Sequence, residues 1–169
     1  MDERDVEAVE RRSRDAEIKR WVGPQQGTAA EFLARKRRAW ADGTEASFAV
    51  CDVANPDLCL GQVWVELDGE DRGLVGYWLL AEGRGSGRAT RAVRLMSAWA
   101  LEELRLARLA LSTEPDNSAS QRVAERAGFR REGVLRSYAK RRDDTRADAV
   151  FYSLLPSDVG ARHLADPSY

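Results

Sequence analysis

Arg84-Gly85-Ser86-Gly87-Arg88-Ala89-Thr90 is the stretch that decides how the chain folds. It follows Leu74-Val75-Gly76-Tyr77-Trp78-Leu79-Leu80, a mostly apolar run suited to a central strand. It leads into a helix from about Gly87 to Arg105, with Ala89, Val93, Met96 and Ala100 on one side and arginines on another. Glycines permit φ > 0 and, lacking a Cβ, let backbone N–H groups converge on a ligand. A helix start adds unpaired donors and a partial positive charge. Together these suit a phosphate or pyrophosphate. A tight turn without a ligand is the plainer alternative. A dinucleotide fingerprint fits poorly, because Thr90 stands where the third glycine belongs and the loop does not follow the first strand of a βαβ unit.

Upstream of this stretch, Arg4 to Trp21 reads as one helix of modest amphipathicity, stopped by Gly23-Pro24. A second helix starts at Thr28, an N-cap with Glu31 three residues on, and ends at Asp42-Gly43. Ser47–Cys51 and Leu60–Leu67 read as strands joined by Asn55-Pro56-Asp57, which with the Leu74–Leu80 run makes an antiparallel meander. Downstream, Leu109–Ser112 is a short strand, Asn117 caps a helix to Ala127 with Gly128 behind it, and two strands follow, Phe129–Tyr138 and Arg146–Leu155, joined by a charged turn near Asp143-Asp144. The predicted fold class is α/β, a mixed sheet with helices on its faces.

A length of 169 residues implies one domain. With 43% hydrophobic and 33% charged residues, the chain belongs with globular proteins rather than disordered ones. Uncharged apolar stretches such as Tyr77–Ala81 span a few residues, against the roughly 20 a membrane span needs, so no membrane is expected. Met1 precedes Asp-Glu-Arg-Asp, with no secretory signal, and the expected compartment is cytoplasmic. Cys51 and Cys59 read as reduced structural thiols. The one histidine, His163, lies near Pro156 and Pro167 in a polar tail, which argues against a zinc site, a histidine base or a Ser-His-Asp triad. Lys19, Lys36 and Lys140 are the only lysines, none near the glycines, so Walker-type chemistry is excluded. Between Ala81 and Arg142 there are 14 basic and 7 acidic residues in a chain of net charge −1. That excess fits either solvated helix faces or an anionic ligand. Aromatic residues are not interleaved with it as in single-strand readers, so no nucleic acid is expected.

The pattern R-x-x-G-x-A, formed by Arg84, Gly87 and Ala89, resembles the acetyl-CoA signature of the GNAT acetyltransferases, Q/R-x-x-G-x-G/A. Gly76-Tyr77-Trp78-Leu79 before it, Pro115-Asp116-Asn117-Ser118-Ala119-Ser120 after it, then Arg122 to Phe129 and Glu132-Gly133, resemble the branch containing the RimJ and RimL ribosomal-protein N-acetyltransferases. The resemblance runs from about Leu60 to Leu155. It implies the GNAT acyl-CoA N-acyltransferase fold: an antiparallel meander, then βαβαββ with a splayed central strand pair. The 1–169 chain would be a single domain, with N-terminal helices over 1–45, an acetyl-CoA-binding core over 46–155 and a polar tail over 156–169.

By the same resemblance, the strand containing Trp78 and Leu79 offers free backbone groups to the pantetheine arm of acetyl-CoA, used as cosubstrate with no metal. Backbone N–H groups of Gly85, Ser86, Gly87, Arg88, Ala89 and Thr90 hold the pyrophosphate. Arg84, Arg88 and Arg91 neutralise it, and Asn117 contacts the cofactor near its pantetheine. The implied activity transfers the acetyl group to a primary amine, a small molecule or a protein N-terminus, by direct attack in a ternary complex that needs no protein nucleophile. A homodimer is left open. Ser120 matches the serine of the family's N-P-x-S block and is the candidate for protonating the departing thiol; its alternative role is first-turn hydrogen bonding.

Three departures stand against the pattern. Relatives commonly carry a glutamate where Leu74 lies, and some carry a carboxylate near the position of Lys140, so the usual general base is missing. Glu66, Tyr138 or a water chain is left to replace it, each with a structural alternative. Relatives also open on a strand, whereas here a helix begins almost at Met1. The rival reading is a non-catalytic acyl-CoA-binding or regulatory module; a nucleotide-binding protein unrelated to CoA is a third.

Overall fold

In a computed structural model, the chain is described over residues 2–141 and 144–163. A single 3₁₀ turn, Glu3–Asp5, leads into α1 (Val6–Arg14), α2 (Ala16–Trp21) and α3 (Ala29–Ala41). Three strands follow, β1 (Glu45–Cys51), β2 (Cys59–Leu67) and β3 (Arg72–Leu79). Then come α4 (Arg88–Glu102), β4 (Arg108–Thr113), α5 (Ser118–Ala127), β5 (Arg130–Lys140), β6 (Arg146–Leu154) and α6 (Pro156–His163). The meander and the βαβαββ order are as the residue pattern implies.

The six strands form one sheet in the order β1-β2-β3-β4-β6-β5. Only β3 and β4 are parallel, and they pair over just three positions, Arg72 to Leu74 with Arg108 to Ala110. Beyond Leu74, the residues Val75 to Leu79 keep β2 on one side and have no strand ladder on the other. The sheet therefore splits in its middle, with its narrow end at Leu74 and its wide end at the glycine loop.

Alternation along β2 and β3 sorts side chains to two faces. Val63, Val65 and Val75 pack with Val93, Met96 and Ala100 of α4 and with Ala124 and Ala127 of α5. Trp78 and Leu80 point the other way, onto Ala8 of α1 and Ile18 of α2, with Trp64 beside them. Removing this apolar surface from water is what holds the helices to the sheet, at roughly 1.5–3 kcal/mol for each large aliphatic side chain fully buried.

Two expectations are corrected. The helix read from Arg4 to Trp21 is broken at Asp15, whose backbone is extended (φ −73°, ψ 118°) and whose side chain accepts the N–H of Ile18 to cap α2. The segment read as a polar tail begins as the helix α6, started by Pro156, a residue suited to a first helical turn. The charged turn reaches into residues 142 and 143, outside the described residues. Cys51 and Cys59 are free thiols, and burial pushes the Cys59 thiol up to about 12. Among the described residues no helix is long and apolar enough to cross a membrane.

Candidate active site

The split between β3 and β4 opens into a cleft of about 530 Å³ that runs from the glycine loop, past α5, to the wall formed by β2 and α2. At its wide end the loop turns through Gly85 and Gly87, both with φ near +80° (78° and 77°). A Cβ at either would meet nothing within 4 Å, so the glycines serve backbone conformation and leave the space above them open. Gly87 caps α4 without any side-chain cap. The N–H groups of Gly85, Ser86, Gly87, Arg88, Ala89 and Thr90 donate to no other described residue; the first satisfied amide is Arg91, to the Gly87 carbonyl at 3.0 Å. Six successive donors at the positive end of a 15-residue helix make a site for an anion. The loop is not closed on itself.

The arginines are disposed differently from the sequence-based expectation. Arg84 donates Nε to the Leu79 carbonyl at 3.0 Å and pairs with Asp15 and Glu17, each at 2.8 Å. Arg88 pairs with Asp52 at 2.6 Å and reaches Ser86 Oγ at 2.5 Å. Both guanidiniums fix the loop's shape and have their charge matched by carboxylates. Arg91 does not line the cleft but an apolar groove between α4 and β1, with Phe48 and Leu95. Arg84 and Arg88 line the cleft together with Arg122 and Arg126 of α5, and only the last two have no ion pair among the described residues. Their i, i+4 spacing places them on one helix face, which is the signal that could have found them.

Of the other expected residues, Trp78 is 2% exposed and its indole N–H donates to Gln62 Oε1 at 2.9 Å on the α1 side. What it offers the cleft is backbone. Leu79 lines the cleft as well, though its carbonyl is taken by Arg84. Asn117 spends its Oδ1 on the Ser120 N–H at 3.0 Å as the α5 cap, which leaves its NH₂ as the group able to meet a ligand. Ser86, like Arg91, does not line the cleft; it braces the loop through Arg88.

Ser120 projects from the first turn of α5 onto the cleft wall, which Tyr77 also lines, near enough for its hydroxyl to act on the Tyr77 phenol. Burial pushes the Tyr77 phenol above its ordinary value, partly offset by the nearby Ser120 hydroxyl. Tyr77, absent from the candidates, is brought to Ser120 by the packing of β3 against α5. At the far end, Ile18, Trp21 and Val22 of the α2 region face Trp64, Glu66, Leu74 and Gly76 of the sheet. Gly76 is required there, because a Cβ would lie 2.2 Å from the Trp64 indole. Tyr138 does not line this cleft; its ring packs edge-on against Phe151 at 4.9 Å. Lys140 pairs with Asp144 at 2.7 Å. Among the described residues no group of three or more His, Cys, Asp or Glu is placed to hold a metal.

Residues 1–130 match the family described as "Acetyltransferase (GNAT) domain". Two Bacillus subtilis (strain 168) proteins align with part of the chain. "Probable N-acetyltransferase YjcK" is 42% identical over 66 residues, 39% of this chain and 36% of its own length. "Putative ribosomal N-acetyltransferase YdaF" is 40% identical over 83 residues, 48% of this chain and 44% of its own. The aligned parts thus span less than half the length of either relative. Among solved structures, Mycobacterium smegmatis RimJ in complex with CoA-disulfide superimposes with a TM-score of 0.81 at 21% identity, over 98% of this chain and 86% of that one, a likeness of fold. With its split sheet and open glycine loop, this chain belongs to the GNAT acetyltransferase domain family.

Proposed function

We propose that this protein is an acetyl-CoA-dependent N-acetyltransferase that acts on a primary amine, a protein N-terminus or a small molecule, by direct attack within a ternary complex. The observation that carries this is the run of unspent N–H groups from Gly85 to Thr90, opening on a cleft that passes between unpaired strand segments. The residues fit the cosubstrate. The loop amides hold a pyrophosphate, Arg122 and Arg126 lie beside it, and the free edge of β3 and the Asn117 NH₂ serve an amide-bearing arm. When bound, acetyl-CoA supplies an activated thioester carbonyl. The protein contributes proximity, worth up to roughly 7–11 kcal/mol when two reactants are held aligned. The hydroxyls of Ser120 and Tyr77, both on the cleft wall, are the groups that can give the leaving sulfur a proton.

Calorimetry with acetyl-CoA, CoA, ATP and NAD, followed by thiol release with a panel of amines, tests the reading. Micromolar binding of CoA species alone, and steady thiol release that requires an amine, is the expected result. Tight CoA binding with no release from any amine identifies a binding module instead, and preference for ATP or NAD overturns both.

A further inference from the structure

An alkyl amine is an ammonium ion at neutral pH, with a pKa of about 10.4 for a lysine-like group, and it attacks only after losing a proton. Three carboxylates line the cleft: Glu17, Glu66 and Glu114. Two are engaged by cations, Glu17 with Arg84 at 2.8 Å and Glu114 with Arg141. Glu66 has no ion pair among the described residues. Its Oε1 accepts the Trp64 indole N–H at 3.1 Å, which orients the carboxylate, and Oε2 has no partner among the described residues.

Its position is fixed by register. Glu66 is paired across β2 and β3 with Leu74, and Leu74 is in turn the last β3 residue paired with β4. Side chains directly opposite in an antiparallel pair share a face, with Cβ atoms about 4.5–5.5 Å apart. Glu66 therefore stands beside the narrow end of the split, on the face that α2 covers. Leu74, 42% exposed, has no proton to exchange. The glycine loop lies at the other end, about 17 Å away along five residues of β3, so an arm anchored there and lying between the strands points its far end at this wall.

We infer that Glu66 is the proton acceptor for the amine, an inference that rests on the acetyltransferase reading above. Oε2 takes a proton from the acceptor's ammonium, and the freed nitrogen lone pair forms the C–N bond to the thioester carbonyl carbon of acetyl-CoA. The C–S bond breaks, and the sulfur leaves with the electron pair and takes a proton from the Ser120 or Tyr77 hydroxyl. The second proton that the nitrogen sheds as the amide forms restores that hydroxyl, and Glu66 gives its own proton to solvent. The charges facing Glu66 from neighbouring elements are Glu45 of β1, its register partner, which is clamped by Lys36 of α3 at 2.6 Å, and Glu17 of α2 with Arg84. Lys36 also lies 5.2 Å from the Trp64 ring centroid.

Glu66→Gln keeps the oxygen that accepts from Trp64 and removes only the base. The proposal expects an unchanged Kd for acetyl-CoA by calorimetry and, with an alkyl amine near pH 7, a fall in kcat/KM of about a hundredfold or more. It also expects a changed pH profile. The variant must await free amine, so its kcat/KM climbs about tenfold per pH unit toward the amine's own pKa, and the gap to wild type narrows. A loss equal at every pH, or activity within threefold of wild type throughout, overturns the assignment while leaving the acetyltransferase standing. Absence of transfer by the wild-type protein with every amine overturns the acetyltransferase reading itself, and this inference with it.

Discussion

The N-termini of α3 and α4 face the same physical demand and meet it in opposite ways. At α3, Thr28 accepts the Glu31 N–H and Glu31 accepts the Thr28 N–H, at 3.2 and 2.7 Å, so the helix supplies its own partners for the donors that every helix start exposes. At α4, Gly87 has no side chain with which to cap, and six amides in a row are left open toward a cleft. The α5 start is intermediate: Asn117 caps with its oxygen and keeps its NH₂ for the cleft. A helix start left uncapped beside a cleft thus marks a place where a ligand is to supply the missing acceptors. A self-capped start beside solvent marks only a fold boundary.

The largest effect that would sharpen this contrast is at Gly87. Gly87→Glu places bulk and negative charge in the open space over the cradle, at a position where φ is +77°. It should weaken acetyl-CoA binding at least a hundredfold by calorimetry. Wild type at a hundredfold excess of ligand over Kd should gain about 2.7 kcal/mol of stability by linkage, a gain the variant should lack. A variant that is stabilised as much as wild type would break the comparison.

A smaller effect is expected at Asp15, which caps α2 and reaches across to Arg84, tying α2 to the start of the glycine loop. Asp15→Ala should cost about 1–2 kcal/mol in urea melts. Burial raises the Asp15 pKa, but the Ile18 N–H and Arg84 outweigh it, and the net value lies below the ordinary 3.8. A depressed carboxylate contributes stability that is fully present above its unfolded pKa and is lost as pH falls through its folded value. The difference between wild type and Asp15→Ala should therefore hold at neutral pH and close below about pH 3.8; a difference independent of pH would show that the carboxylate's charge serves neither the cap nor the Arg84 pair. The smallest effect is at Thr28. Thr28→Ala should cost about 1 kcal/mol of stability and leave the Kd for acetyl-CoA unchanged. A change in that Kd would show that the two helix starts are coupled.

Residues whose conformation is decided by near neighbours could be read directly. Thr28 and Glu31, Asn117 and Gly128, and the period-two runs of β2 and β3 lie where their own chemistry puts them. The break at Asp15 had a local signal, an aspartate with Glu17 in the next turn, but the apolar spacing from Val9 to Ile18 and Trp21 masked it. The extended backbone there is held in part by Arg84, 69 residues away. The arginines were the poorest guide, because a charge count does not say which carboxylate a guanidinium will meet. All four of Arg84, Arg88, Arg122 and Arg126 line the cleft, but Arg84 and Arg88 found Asp15, Glu17 and Asp52, while Arg122 and Arg126 have no ion pair among the described residues.

By itself the sequence determined the order of elements from α3 to β6 and the glycine turn, since these depend on φ/ψ preferences and periodicities that act over a few residues, and its motifs carried the resemblance to the family. Only the tertiary structure decided that β3 and β4 part after Leu74, that Tyr77 meets Ser120 and that Glu66 stands opposite Leu74. Register and helix packing juxtapose residues distant in the chain, and no local preference specifies which side chains will then face one another.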